Sequence, residues 1–276
     1  MKILQTHISL FLFCLSAVCF LVAGLLHKFQ PVRMISIRPP QDMTSAGLYL
    51  GNEITNPVGI LVLCNGYNNC SGDLIRQPQW RQFAREHRLV LTEIAFASQE
   101  DRLTTVGYYY VWRGSGQALL TMLDKAYPQK PPLLMFGFSG GGQFVARFQE
   151  WCPERVAAWA VAGVNWWEPG PPDGEGYAPG IIAIGELESR YPNSVHAFRS
   201  RLGNGRRILW CGMKDVGHSL PETTVELFRV FFAEVLSSSS LAWMPVEVDG
   251  EPAGWVPSQR VKEEWEKIER TAPLEE

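Results

Sequence analysis

Short apolar runs that alternate with segments of helical periodicity constrain this chain more than any other feature. The runs fall at residues 58–64 (VGILVLC), 88–96, 132–138, 156–164, 180–184 and 207–211. A run that is apolar at nearly every position suits a strand covered on both faces, as in a parallel sheet. Between most of them lie helix-patterned stretches at 80–87, 114–127, 143–151, 194–202 and 222–236, with Ser115 the expected N-cap of the second. Strands alternating with helices of about ten to fifteen residues predict an α/β fold with a doubly wound, mostly parallel sheet. Two further short strands are expected ahead of the first run, in VRMISIRP and AGLYLG.

The two ends read differently. Residues 8–26 carry no charge and are flanked by Lys2 and Lys28. As a helix they would span about 28 Å, close to a hydrocarbon core. Residues 1–30 are therefore expected to be a secretory signal or membrane anchor with a linker, and the protein to be exported or membrane-anchored. Lys28, Arg33 and Arg38 oppose Lys2, so charge bias leaves the orientation open. Residues 31–240 form the expected α/β domain. After the serines at 237–240 the composition turns rich in Trp, Pro and Glu. Residues 241–276 are expected to be a tail, with Val261, Trp265 and Ile268 on one face of a docking helix.

At 276 residues, 46% hydrophobic and 19% charged, the chain holds enough apolar material for one large core. Its net charge of −3 and scattered basic residues give no electrostatic reason to expect nucleic acid. Cys14 and Cys19 fall in the apolar segment, Cys64 and Cys211 read as buried thiols, and a Cys70–Cys152 bridge is open after export. No cysteine and histidine spacing matches a zinc site.

The run at 132–138 leads into Gly137-Phe138-Ser139-Gly140-Gly141, a G-x-S-x-G pattern. The pattern is short enough to arise by chance, so its context decides. A strand precedes it and a helix follows, the arrangement that holds a nucleophilic serine on a tight turn where larger neighbours would collide. The Gly-Lys-Ser/Thr of a phosphate loop is absent. A serine hydroxyl needs a base. Of the five histidines, His218 alone sits in a loop beyond the last expected strand, where the order serine, acid, histidine requires it. The acid is expected after the run at 180–184. Glu188 is the choice, with Glu186 and Asp215 as alternatives. Oxyanion donors are expected from the backbone N–H of Gly140 and, in the Asn65-Gly66-Tyr67-Asn68-Asn69 loop, of Tyr67.

On CNGYNN, GFSGGG and DVGH, in that order, residues 32–236 resemble the α/β-hydrolase family, and more loosely its compact esterases: feruloyl esterases, polyhydroxybutyrate depolymerases and dienelactone hydrolases. The resemblance implies a nucleophile at Ser139 and a base at His218. The family's Gly-x-x-Asp acid pattern reads Gly185-Glu186-Leu187-Glu188 here, and its His-Gly ahead of the oxyanion donor reads Asn65-Gly66. Only NWWEPGPPDGEGYAPG stands where many members insert a lid, so no large lid domain is expected. The site should be open and rimmed by Trp166 and Trp167, with Tyr67 or Trp112. The expected function is a serine carboxylic-ester hydrolase working through an acyl-enzyme on a small-molecule ester. A peptidase or amidase of the same fold and an inactive anchored binding module are the alternatives. This chemistry calls for no metal and no organic cofactor, and the sequence leaves the oligomeric state open.

Overall fold

The computed structural model describes residues 32–99, 107–170, 176–237 and 241–274. The expected signal or anchor, with Cys14 and Cys19, lies outside the described residues. Among those described, the strands are β1 (Arg33–Ser36), β2 (Met43–Leu50), β3 (Gly59–Cys64), β4 (Leu89–Ser98), β5 (Leu133–Phe138), β6 (Val156–Ala162), β7 (Gly180–Gly185) and β8 (Ile208–Met213), then β9 (Met244–Val248), β10 (Glu251–Val256) and β11 (Arg270–Thr271). The helices are α1 (Pro78–Glu86), α2 (Ser115–Ala126), α3 (Gly140–Trp151), α4 (Tyr191–Gly203), α5 (Glu222–Ser237) and α6 (Gln259–Glu266).

All the strands join one sheet in the order β1-β2-β4-β3-β5-β6-β7-β8-β10-β9, with β11 on β8. From β4 to β8 neighbouring strands run parallel, and β3, β5, β7 and β8 are buried at nearly every residue, as their apolar runs require. β1 and β2 add antiparallel strands at one edge.

Strand pleating divides the core into two layers. Phe136 of β5 meets Trp80 of α1 at 5.2 Å and Phe228 of α5 at 5.8 Å between ring centroids. On the other face Phe144 of α3 packs on Phe96 of β4 and Phe198 of α4 on Trp210 of β8. The sheet is therefore doubly wound.

Three details depart from expectation. Residues 241–274 are not an appended tail. β10 and β11 both pair with β8, and β9 pairs with β10, so the sheet continues past residue 240. The expected docking helix is α6, capped by the Ser258 hydroxyl on the Val261 N–H. It buries Val261 and Trp265, whose indole N–H donates to the Trp210 carbonyl at 2.7 Å. The short β9–β11 escaped notice because Pro245, Pro252 and Gly254 interrupt their pattern. Ser115 does not cap α2. Gly114, at φ 111°, takes that position, and the Ser115 hydroxyl donates instead to the Tyr108 carbonyl. Finally, Cys64, Cys70, Cys152 and Cys211 are all free thiols, so the Cys70–Cys152 bridge is not formed.

Candidate active site

The expected site residues all follow C-terminal ends of parallel strands, so the sheet gathers them at one edge. Ser139 stands between β5 and α3 with φ 53° and ψ −121°, a conformation that costs an L-residue of order 1–3 kcal/mol. The turn is tight enough to dictate its neighbours. A Cβ on Gly141 would stand 2.2 Å from the Cys64 carbonyl oxygen, and one on Gly137 2.5 Å from that of Gly141. Both positions therefore need glycine. The Ser139 N–H donates to Ala162 O, and its carbonyl accepts the first α3 bond from Gln143.

His218 lies in the loop after β8. Its Nε2 is 2.9 Å from Ser139 Oγ and its Nδ1 is 2.8 Å from Glu188 Oε2. The Phe138 ring packs on the imidazole at 5.0 Å between centroids. Gly163 backs the imidazole closely, since a Cβ there would stand 2.9 Å from His218 Cε1. The Glu188 side chain is 4% exposed and the His218 side chain 43%, so a buried carboxylate holds an imidazole that solvent still reaches. Of the three carboxylates left open by the sequence, Glu188 is the one that meets His218. Glu186 instead accepts the Asp215 N–H at 2.9 Å, and Asp215 is an exposed residue at φ 56° that turns the loop toward His218.

Tyr67 and Gly140 are brought side by side. A Cβ on Gly140 would lie 3.0 Å from the Tyr67 backbone nitrogen, so the two peptide units border one small space next to Ser139. Gly140 opens α3, and the first N–H groups of a helix have no acceptor within it. Asn68 clips the Tyr67 loop to β4. Its Nδ2 donates to Ser98 O at 3.1 Å, and its Oδ1 accepts the Ser98 N–H at 2.9 Å. Sequence reading passed over Asn68; its only signal there was an Asn able to take the left-handed turn it occupies at φ 56°.

Glu93 is a second residue that sequence reading passed over. It is fully buried on β4 beneath a short 3-10 turn at Leu74–Arg76, which follows the Tyr67 loop, and its Oε2 accepts the Ile75 N–H at 2.7 Å. Burial pushes its carboxyl up to about 7 from an ordinary 4.5, opposed by that N–H. The folded protein thus keeps this proton to higher pH than the unfolded chain does. Its contribution to stability is complete below about pH 4.5 and is lost as pH rises to about 7, a change of about 3 kcal/mol. Glu93→Gln should flatten this loss, matching the wild type in urea melts at pH 5 and exceeding it at pH 8. Equal pH dependence in the two proteins would disprove the assignment.

The aromatics expected at the rim have unequal surroundings. Trp166 is exposed, with the Arg190 guanidinium 3.5 Å above its ring. Trp167 is half-buried and braced, its indole N–H donating to Val164 O and Ser194 Oγ under the Arg201 guanidinium. The two border a cavity of about 470 Å³ together with Asn193, His196 and Arg201. On the other side of Ser139, Tyr67 stacks on Tyr108 at 5.8 Å, and the exposed Trp112 lies 5.4 Å from Tyr110. Residues 163–170 and 176–179, between β6 and β7, contain no helix; residues 171–175 lie outside the described residues. Among the described residues no group of three or more His, Cys, Asp or Glu side chains is placed to hold a metal ion.

No family model and no curated protein matches this chain. Solved structures do. An arylesterase superposes with a TM-score of 0.55 at 10% identity, covering 75% of this chain and 85% of its own. A hyperthermophilic esterase from the archaeon Pyrobaculum calidifontis gives 0.54 at 12% identity, covering 76% and 86%. Thermogutta terrifontis esterase 2, phosphorylated by paraoxon, gives 0.55 at 11% identity, covering 74% and 93%. With the strand order and crossovers described above, these likenesses show the fold: the chain has the α/β-hydrolase fold.

Proposed function

We propose that this protein is a serine carboxylic-ester hydrolase that works through an acyl-enzyme. The reading is carried by one observation, the continuous chain of contacts from Glu188 Oε2 through His218 to the Oγ of a serine held at φ 53°. In the proposed reaction Ser139 Oγ attacks the ester carbonyl carbon while its proton passes to His218 Nε2. Glu188 accepts the Nδ1–H, fixing the tautomer and stabilising the imidazolium that forms. The N–H groups of Gly140 and Tyr67 hold the oxyanion of the tetrahedral intermediate. Its collapse breaks the C–O bond, and the alcohol leaves with the proton from His218. Water, deprotonated by the same imidazole, then releases the acid and restores Ser139.

Two further features support this reading. The solved structures of like fold include esterases, one of them carrying the phosphoryl group of an organophosphate. Exposed aromatics follow the strands on either side of β5, Tyr67 after β3 and Trp166 after β6, where they can meet a small ester. A fluorophosphonate probe is expected to label the full chain on one residue, Ser139, as read by mass spectrometry of the tryptic peptide. An unlabelled Ser139 would overturn the reading in favour of the anchored binding module. Turnover of p-nitrophenyl esters without turnover of peptide amides separates the esterase from a peptidase or amidase.

A further inference from the structure

The end of the sheet opposite Ser139 is basic. β3 to β8 begin there and β2 ends there, with the Gly51 N–H donating to Leu91 O near the start of β4. Arg33, the first residue of β1, pairs with Leu50 at the end of β2 and so shares this underside. Arg81, Arg85 and Arg88 line a cavity of about 260 Å³ there, with Asn52, Glu53 and Ile54. Arg33 stands beside this cavity through its pairing with Leu50, the neighbour of the lining residue Gly51. Arg33, Arg85 and Arg88 are exposed; Arg81 is half-buried, with Nη2 on Gly51 O.

The carboxylates nearby are Glu53 and Glu86, the latter accepting the Gln82 amide. Four guanidinium groups thus meet two carboxylates, on a chain whose net charge is −3. Farther along the same end, Lys130 and Arg155 both pair with Asp124, and with Glu154 beside Arg155 these four charges cancel. An apolar residue emerges among the arginines: Val58 is 46% exposed, and its N–H donates to Arg88 O. Exposed basic groups around an apolar side chain are the chemistry of a surface that meets anionic lipid headgroups.

The sequence puts a tether beside this patch. Leu26 ends the uncharged run seven residues before Arg33, so at most about 25 Å of extended chain separates the run from β1. We propose that the Arg33, Arg81, Arg85 and Arg88 underside rests on an anionic phospholipid surface, with residues 8–26 holding it there. Each arginine within a Debye length of such a surface strengthens the association by about fivefold. The six residues of β5 set Ser139 about 20 Å farther out. Its site then faces the aqueous phase and takes soluble substrates, not lipids of the membrane beneath it.

The proposal does not rest on the hydrolase reading, because it is tested without substrate. The full chain is reconstituted in nanodiscs of phosphatidylcholine alone or with phosphatidylglycerol, and amide hydrogen exchange is followed by mass spectrometry. With phosphatidylglycerol at low salt, exchange at residues 52–58 and 81–88 should slow by about fivefold or more. Residues 65–72 and 186–190, beside Ser139, should be unaffected. High salt or Arg85→Gln with Arg88→Gln should abolish the protection, while Arg85→Lys with Arg88→Lys should retain it. Equal exchange in the two lipids, protection beside Ser139, or failure of the chain to associate with either disc would overturn the proposal. So would the same protection produced by inorganic phosphate over phosphatidylcholine, which would mark a small-anion site instead.

Discussion

Ser139→Ala is expected to lower kcat/KM on p-nitrophenyl esters by about 10⁵-fold, a loss of about 7 kcal/mol of transition-state stabilisation. The hydroxyl removed is the only group of the proposed mechanism that forms a bond to substrate. The oxyanion N–H groups survive, so a residual rate above that in water should persist. A second substitution separates chemistry from folding. Ser139 keeps its Oγ beside His218 by holding φ 53°, which glycine adopts without strain. Ser139→Gly should therefore be as inactive as Ser139→Ala and more stable than the wild type by about 1–2 kcal/mol in urea melts. An active alanine variant would end the nucleophile assignment. An inactive glycine variant without added stability would end only the claim that the turn is strained.

Glu188→Gln should lower kcat by about 10³ to 10⁴-fold with little change in KM. The amide can still occupy the buried position beside His218 Nδ1, but it cannot balance the imidazolium charge and can favour the wrong tautomer. Asp215→Asn should alter kcat by only a few fold, since Asp215 is exposed and its backbone, not its carboxylate, meets Glu186. The reverse pattern would move the acid to Asp215. The pair of variants tests the one role that the sequence left open among three carboxylates.

Much of this fold could be read directly from the chain. Strands buried on both faces must be apolar at each position, and β3, β5, β7 and β8 announce themselves for that reason. Ser139 was legible because a strand, a tight glycine turn and a helix leave a local pattern. His218 was legible because topological order puts a loop after the last parallel strand. β9, β10 and β11 were not, because short antiparallel strands broken by proline and glycine take their identity from the strand they pair with. Asn68 and Glu93 were not either: each acts on a segment about twenty to thirty residues away in sequence.

The sequence by itself determined the parallel core, the serine on its turn and the histidine in its loop, since these depend on periodicity, on neighbours within a few residues or on the order of elements along the chain. Only the tertiary structure decided that Glu188 reaches the imidazole, that Tyr67 and Gly140 border one space, and that Arg33 joins the arginines of α1 and its following turn on one underside. Those relations join residues from 30 to 73 positions apart. They are set by the register of parallel strands across the sheet and by the crossovers between them, which no local pattern encodes.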